Sequence, residues 1–150
     1  MLAGSCTTSF SGSSSNRITN IKVAAEHLNN MIIMPGQEVS VSTAILPRTS
    51  ANGYREAGAY LNGETVMAIG GGICQVSSTT YNAVKNAGLV VLERIPTACP
   101  YIICRWVWTQ PSLPAPRTYG SATTIPLLLY CRHTRKGKNS SSMSWYGIMI

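Results

Sequence analysis

The sequence has 150 residues, enough for one ordinary domain that buries a core without disulfides or metals. Hydrophobic residues make up 45% of the chain and charged residues only 11%, and the formal net charge at pH 7 is +7. No apolar run approaches the roughly 20 residues of a membrane span, and the first ten residues lack the basic and apolar segments of a signal peptide. We therefore expect neither a membrane span nor a targeting signal within this sequence, so membrane anchoring would require a preceding segment.

Positive charge is concentrated in the C-terminal part of the chain. Residues 1–94 contain six basic and five acidic residues, whereas residues 95–150 contain six basic residues and no acidic one. All three tryptophans and six of the eight prolines also lie in residues 95–150. Basic residues with interspersed aromatics are typical of nucleic-acid-binding segments, but no fold signal accompanies them here. We therefore predict no nucleic-acid partner. Residues 1–94 and residues 95–150 differ in composition as two unrelated sequences would.

The first half of the chain predicts alternating helices and hairpins. A polar loop over residues 11–16 precedes apolar residues at three-to-four spacing, which predict a helix over residues 19–30. The segment "MIIMPGQEVSV" predicts a strand, a Pro-Gly turn and a second strand. "PRTSANGYREAG" predicts a loop with a turn at Asn52-Gly53, and Asn62-Gly63 in "AYLNGETVMAI" predicts a type I′ hairpin.

Three glycines, Gly70, Gly71 and Gly72, then lead into a predicted helix over residues 75–87, with Gly88 just beyond its end. The predicted buried face of this helix consists of Ile73, Val76, Tyr81, Val84 and Ala87. The polar run from Ser77 to Thr80 predicts capping and polar surface. "LVVLE" predicts a short buried strand, and the prolines after Ile95 predict an irregular C-terminal portion. The fold class is therefore α+β, with a small mixed or antiparallel sheet and two main helices.

Cys74 is the candidate for chemistry. A cysteine at the start of a helix lies at the positive end of the helix dipole, which favours the thiolate. Backbone N–H groups of the turn from Gly71 to Cys74 would hold an oxyanion or a carboxylate, and the glycines would let a substrate approach closely. This is the layout of cysteine hydrolases and acyl transferases, in which a histidine serves as the base.

The alternative is that Cys74 only packs. A buried cysteine behaves as a small hydrophobe, and three glycines also suit a tight strand-to-helix turn. No base is evident, because His27 is predicted to be a solvent-facing helix residue and His133 lies in the basic tail. A zinc site would need CxxC pairs that the sequence lacks, so we predict no metal and no cofactor.

Residues 1–94 closely resemble the VanW family of bacterial cell-envelope proteins. The matching segments, in the order and spacing of the family, are "CTTSFSGSSSNRITNIKVAAEHLN", "MPGQEVSV", "PRTSANGYREAGAYLNGE" and "AIGGGICQVSSTTYNAVKNAGLVVLER". The resemblance implies an extracytoplasmic location at the bacterial cell wall and an association with glycopeptide resistance. It also implies peptidoglycan or its stem peptides as partners.

Three functions are compatible with this resemblance. The first is an accessory domain of the cell envelope with no established biochemical activity. The second is a cysteine-dependent amidase or transpeptidase that acts on peptidoglycan peptides, with Cys74 as the nucleophile. The third is a non-catalytic module that binds wall peptides in the same groove. Candidate binding residues are Gly70, Gly71, Gly72, Gln75, Ser77, Arg48, Arg55 and Glu56, and the last three also suit an ordinary loop surface.

The resemblance stops after Arg94. The family usually continues with a segment whose His and Asp residues would partner Cys74, whereas this chain continues with "IPTACPYIICRWVW". Codons for the first seven of these residues can be chosen so that one additional base makes them read H-P-H-S-M-P-V, the segment of the family. We therefore predict that residues 1–94 are an incomplete VanW-like domain and residues 95–150 an out-of-frame continuation. This chain would then lack the base and have no catalytic activity.

Overall fold

A computed structural model describes the backbone of residues 2–34, 36–61, 64–96, 102–107, 127–136 and 140–149, and the side chains of residues 4–34, 36–60 and 64–94. Its elements in chain order are β1 (Leu2–Ser9), α1 (Ser15–Leu28), β2 (Met31–Ile33), β3 (Glu38–Ser40), α2 (Val41–Ala44), β4 (Glu56–Leu61), β5 (Glu64–Ile69), α3 (Ile73–Asn86), β6 (Val90–Pro96), β7 (Ile102–Val107), β8 (Leu127–Lys136) and β9 (Ser140–Met149). One turn of 3-10 helix covers Ser50–Asn52, and Gly53 follows it in the left-handed region, where the sequence predicts a turn.

The described strands form three antiparallel sheets. Their strand orders are β1-β9-β8-β2, β3-β7-β6 and β4-β5. Helices α1 and α3 each have 14 residues and are the main helices. The predicted α+β class, with small antiparallel sheets and two main helices, is therefore confirmed.

The buried core draws on both main helices and on the loops between them. Its largest fully buried side chains are Tyr54, Ile21, Leu28, Ile33, Ile45, Val41, Val76 and Val84. The three-to-four spacing of the apolar residues places one face of each helix against this core. Tyr54 donates a hydrogen bond of 3.0 Å from its hydroxyl to the carbonyl oxygen of Ile45. That bond satisfies the polar atom that the ring carries into the core.

Helix α1 begins at Ser15 rather than at Thr19, because the preceding serine caps it. The Ser14 hydroxyl oxygen accepts a hydrogen bond of 3.4 Å from the backbone N–H of Arg17. The serine run that predicts a loop therefore also supplies the N-cap. The helix ends at Leu28, two residues before the predicted end.

The strand predicted from "QEVSV" is shorter in the structure. Strand β3 ends at Ser40, whose hydroxyl oxygen accepts a hydrogen bond of 3.4 Å from the backbone N–H of Thr43. This cap starts the short helix α2, which the sequence does not predict. Serine thus converts the end of a strand into the start of a helix.

The predicted hairpin and the end of α3 agree with the structure. Strands β4 and β5 pair in an unbroken register with Leu61 opposite Glu64, and the turn between them lies outside the described residues. Gly88 follows α3 with a φ of 74°, as the prediction of a C′ glycine requires. On the predicted inner face of α3, Ile73, Val76 and Val84 are buried, and Tyr81 and Ala87 are half-buried.

The strand predicted at "LVVLE" is present as β6, but the prediction that it is buried is wrong. Leu89 is buried, but Val90 and Leu92 are each 45% exposed. Val91, between these two residues, packs against the core, so β6 has one face toward the core and the other toward solvent.

The prediction of a polar surface from Ser77 to Thr80 is also wrong. Ser77, Thr79 and Thr80 are buried inside α3. The hydroxyls of Thr79 and Thr80 donate hydrogen bonds of 2.7 and 2.9 Å to the carbonyl oxygens of Gln75 and Val76. Because these bonds run back to the preceding turn, the hydroxyls are satisfied without water.

Residues 95–150 contain three described strands, β7, β8 and β9, where the proline content predicts an irregular backbone. None of the six prolines of this part lies inside these three strands, and Pro96 ends β6. Strand β7 pairs with β3 and β6, and β8 and β9 join β1 and β2. The division of the chain at Ile95 and the out-of-frame origin of residues 95–150 stay predictions. No helix within the described ranges has the length and apolar character needed to cross a membrane.

Candidate functional site

A cleft of about 610 Å³ opens beside the N-terminal end of α3. Its walls come from α1, from α2 and the loop that follows it, from the β4–β5 hairpin and from the glycine turn between β5 and α3. Seven of the nine predicted site residues line it, namely Gly70, Gly71, Gly72, Cys74, Gln75, Ser77 and Arg48. Six of these seven lie close together in sequence, between Gly70 and Ser77, and the structure brings Arg48 to them from a separate loop.

The three glycines of the turn are required for two different reasons. Gly70 and Gly72 have φ angles of 88° and 103°, a region that side chains disfavour. Gly71 has no such angle, but a Cβ on it would collide with the backbone of Ala57 and lie 2.7 Å from the carbonyl oxygen of Gly58. The space beside Gly71 is therefore filled by the chain itself, which agrees with the alternative of a tight strand-to-helix turn.

Two backbone amides of this turn are engaged within the fold. The N–H of Gly71 donates to the carbonyl oxygen of Ala68 at 3.2 Å, and the N–H of Ile73 donates to that of Gly70 at 3.3 Å. The anion hole predicted for this turn would need donors that point at a ligand. These two amides bond to the turn instead.

Cys74 is the second residue of α3 and lies half-buried in the wall of the cleft. The described lining residues include no histidine, aspartate or glutamate. His27 is exposed on α1, as predicted, and its ring lies 6.2 Å from that of Tyr54, centroid to centroid. The side chain of His133 lies outside the described residues. The described lining thus holds a thiol and no imidazole or carboxylate.

Arg17 lines the cleft from α1 and is held in one orientation. Its Nη1 donates a hydrogen bond of 2.7 Å to the hydroxyl of Ser13, and its Nη2 donates one of 3.0 Å to Oε1 of Gln75. Its aliphatic part lies against Gly72, with Cγ 2.6 Å from the place that a Cβ on this glycine would take. A guanidinium has five N–H donors, so these two bonds leave others for a ligand.

Gln75 fixes Arg17 rather than facing the cleft with a spare amide. Its Nε2 donates 2.9 Å to the carbonyl oxygen of Ser9 and 3.3 Å to the hydroxyl of Thr8, while Oε1 accepts from Arg17. The amide nitrogen of Gln75 bonds to oxygen acceptors and its amide oxygen bonds to the Arg17 cation. These partners fix which way the amide group of Gln75 is turned. Gln75, predicted as a binding residue, therefore joins β1, α1 and α3 and positions the guanidinium.

Asn20 is a fully buried polar residue that supports the same turn. Its Nδ2 donates hydrogen bonds of 2.9 Å to the carbonyl oxygens of Arg55 and Gly71, and its Oδ1 accepts one of 2.7 Å from the N–H of Arg55. One side chain on α1 thus ties the start of β4 to the glycine turn. Buried amides are stable only when their groups are paired in this way.

Arg48 brings a second cation to the cleft. It is exposed, it follows a cis Leu46-Pro47 bond, and no hydrogen bond joins its guanidinium to another described residue. Its Cδ lies 3.8 Å from the place that a Cβ on Gly70 would take. Burial raises the pKa of Tyr54, and the positive charge of Arg48 acts in the opposite direction. Arg48 and Arg17 are the charged residues among the described lining, so the cleft favours an anion.

The remaining predicted site residues lie elsewhere. Arg55 and Glu56 are exposed and do not line the cleft, and the backbone of Arg55 is instead bound by Asn20. Arg17 and Asn20 were missed because each looks like an ordinary polar position of an amphipathic helix. Arg17 bonds to Gln75, 58 residues later, and Asn20 bonds to Arg55 and Gly71, 35 and 51 residues later. A local sequence pattern does not predict contacts between residues so far apart.

No group of three or more His, Cys, Asp or Glu side chains suited to a metal ion occurs among the residues whose side chains are described. Cys6 lies half-buried against the core, and burial raises the pKa of its thiol. The side chains of the other cysteines, Cys99, Cys104 and Cys131, lie outside the described residues.

Comparison with known proteins identifies similar sequences. The family model described as "VanW like protein" matches residues 16–106. An uncharacterized protein of Bacillus subtilis (strain 168), YoaR, is 38% identical over 91 residues, which is 61% of this chain and 30% of that protein. The vancomycin B-type resistance protein VanW of Enterococcus faecalis (strain ATCC 700802 / V583) is 28% identical over 79 residues, 53% of this chain and 29% of that protein. This chain thus spans less than a third of either relative, and no solved structure matches it.

Proposed function

This chain belongs to the VanW family, and we propose that it is a cell-envelope accessory domain whose cleft binds a peptide of the bacterial cell wall by its terminal carboxylate. The name of the Enterococcus faecalis relative, a vancomycin B-type resistance protein, supports an association with vancomycin resistance. The setting that goes with this proposal is extracytoplasmic.

The pair of guanidinium groups in the cleft carries this proposal. Arg17 is held rigidly by Ser13 and Gln75, while Arg48 is exposed beside the glycine turn. The described lining offers no carboxylate to neutralise them. Guanidinium groups bind carboxylates through charge-assisted hydrogen bonds, and often through two parallel ones. A peptide C-terminus is the carboxylate that a cell-wall stem peptide would present.

Binding of an acylated L-Lys-D-Ala-D-Ala peptide tests this function. We expect Arg48→Gln to weaken binding roughly tenfold to a hundredfold, because a hydrogen bond to a charged group contributes about 1.5–3 kcal/mol. We also expect the same peptide with a C-terminal amide to bind the unmodified protein weakly. Its affinity should match that of the free-acid peptide for the Arg48→Gln variant. Titration calorimetry or fluorescence anisotropy measures all of these affinities.

Arg55→Gln is the matched control, since Arg55 is exposed but lies outside the cleft. It removes the same charge from the protein and is expected to change the affinity less than twofold. Equal affinity for acid and amide peptides, or equal losses in the two variants, would contradict the proposal.

A cysteine-dependent amidase or transpeptidase is the second candidate, because the thiol of Cys74 lies in the same cleft. In that reaction the thiolate attacks a peptide carbonyl, the C–N bond breaks as the amine leaves with a proton, and a thioester forms. Water in an amidase, or an acceptor amine in a transpeptidase, then attacks the thioester, gives up a proton and releases the thiolate. The described lining holds no acid or base for the proton transfers, which favours binding over turnover in this chain.

Incubation with the acylated tripeptide separates the two candidates. We expect the peptide to remain intact by mass spectrometry, and Cys74→Ala to keep the affinity of the unmodified protein within about threefold. Release of D-alanine that disappears in both Cys74→Ala and Cys74→Ser would instead establish the enzyme. Release that persists in both variants would exclude the cysteine mechanism.

A further inference from the structure

The β4–β5 hairpin has an outer edge that is available for pairing. Residues across the hairpin face each other as Glu56 and Ile69, Gly58 and Met67, and Tyr60 and Thr65. The N–H of Gly70 donates to the carbonyl oxygen of Arg55 at 3.1 Å, so that pair is a hydrogen-bonded one. Hydrogen-bonded and non-hydrogen-bonded pairs alternate along an antiparallel ladder. The pairs Glu56–Ile69, Gly58–Met67 and Tyr60–Thr65 are therefore non-hydrogen-bonded pairs, whose N–H and C=O groups point outward from the hairpin.

The two outer edges of the hairpin differ. On β4, the carbonyl oxygen of Glu56 accepts a hydrogen bond of 2.9 Å from Nδ2 of Asn16, so α1 covers the start of that edge. On β5, no strand of the described part pairs with the outward groups of Thr65, Met67 and Ile69. Within the described part of the chain, the edge of β5 is therefore the open one.

Beyond its charged first residue, Glu64, strand β5 lacks the features that usually protect an edge. Edge strands commonly carry lysine, proline or a bulge that prevents pairing with another chain. Between Thr65 and Ile69 there is no charged residue and no proline, and the register has no bulge. Met67 is 68% exposed and Ile69 is 42% exposed. An unbroken, apolar and uncharged edge suits a main-chain partner.

This edge is continuous with the cationic cleft. Thr65 and Ile69 both line the cleft, and β5 leads directly into the glycine turn, against which Arg48 lies. From Met67 to Gly70 is three residues, or about 10 Å of extended chain. A peptide that pairs with Met67 and runs parallel to β5 therefore reaches Arg48 with its C-terminal carboxylate after about three residues.

We propose that the cell-wall peptide binds as a third strand on the outer edge of β5, bonds to the main chain of Met67 and places its carboxylate at Arg48. This inference rests on the proposed function and adds the mode of binding to it. Strand addition uses only main-chain N–H and C=O groups, which D-residues also possess. The cations explain why the occupant ends in a carboxylate, and the open edge explains why it is extended.

A scan of N-methylated ligands tests the inference on the full chain. Each of the three backbone amides of the acylated L-Lys-D-Ala-D-Ala peptide is methylated in turn, which removes one donor without changing the carboxylate. In a strand, every second amide points toward β5 and the others point away. We therefore expect methylation to weaken binding at least tenfold at each amide that points toward β5. At an amide that points away, we expect a loss of less than threefold. On the protein, Met67→Pro removes the outward N–H and is expected to weaken binding tenfold.

The outcomes distinguish the inference from the function on which it rests. If the unmethylated acid binds better than its amide but methylation has no alternating effect, strand addition is overturned and carboxylate binding stands. If acid and amide both fail to bind, the function and the inference fall together. If Met67→Pro changes only the sedimentation of the protein, the edge pairs two copies of this chain, and the inference is wrong. The ligand scan still decides the matter if Met67→Pro does not fold.

Discussion

Asn20→Asp is expected to lower the free energy of unfolding by about 3–5 kcal/mol at neutral pH. The two side chains have nearly the same shape, so the change isolates hydrogen bonding and charge. An aspartate cannot donate to the carbonyl oxygens of Arg55 and Gly71, which Asn20 bonds at 2.9 Å. Three oxygens would then face one another in a fully buried site, without the donor that now holds the glycine turn.

The loss should also depend on pH. Burial and the facing carbonyl oxygens favour the protonated acid, so the pKa of the introduced carboxyl is raised in the folded state. Stability relative to the parent is then greatest below the pKa of an unfolded aspartate, about 3.9, and falls as the pH rises through the folded pKa. Urea unfolding at pH 4 and at pH 8 measures this difference, and the variant should recover part of its stability at pH 4.

Asn16→Asp is the matched control on the same helix. Asn16 is exposed in the first turn of α1, where a negative charge interacts favourably with the helix dipole. Its side chain makes one exposed bond to the carbonyl oxygen of Glu56. We expect a change of less than about 1 kcal/mol with little dependence on pH. If Asn16→Asp lowered the free energy of unfolding as much as Asn20→Asp, the buried hydrogen bonds of Asn20 would have no special role in stability.

The sequence predicts those parts of the fold that depend on local pattern. The alternating residues around Asn62-Gly63 predict the β4–β5 hairpin, and the apolar spacing after Ile73 predicts α3. The boundaries that differ depend on serine, which is compatible with a loop, an N-cap or a strand end until the following residues are placed. Ser14 and Ser40 both become caps, and each moves a boundary by several residues.

The candidate site was predicted where it follows one continuous motif and missed where it depends on tertiary contacts. The segment from Gly70 to Ser77 was identified as a unit and lines the cleft as a unit. Arg17 belongs to the cleft only because Gln75, 58 residues later, bonds its guanidinium. Arg55 and Glu56, in contrast, share the charged loop character of Arg48 yet lie outside the cleft. Charge type alone does not reveal which way a loop residue faces.

Gly71→Ala is expected to destabilise the protein by about 3 kcal/mol. Its φ is not in the left-handed region, so the cost comes from contact and not from backbone conformation. The new methyl group would collide with the carbonyl group of Ala57 and come within 2.7 Å of the carbonyl oxygen of Gly58. Since both neighbours are backbone atoms of a paired strand, they cannot rotate away as a flexible side chain would.

Gly58→Ala separates this close approach from the general effect of replacing a glycine. Gly58 lies on β4 near Gly71, but a Cβ on it would meet only the methyl group of Thr65 at 3.5 Å, an ordinary contact. Its φ is also outside the left-handed region, so alanine there should be neutral or stabilise by up to about 1 kcal/mol through the unfolded chain. Thermal unfolding of both variants measures the difference. A small effect at both positions would mean that the turn can move away from β4, and the cleft wall would then be adaptable. A large effect at Gly71 alone would make the middle glycine a packing requirement of the fold.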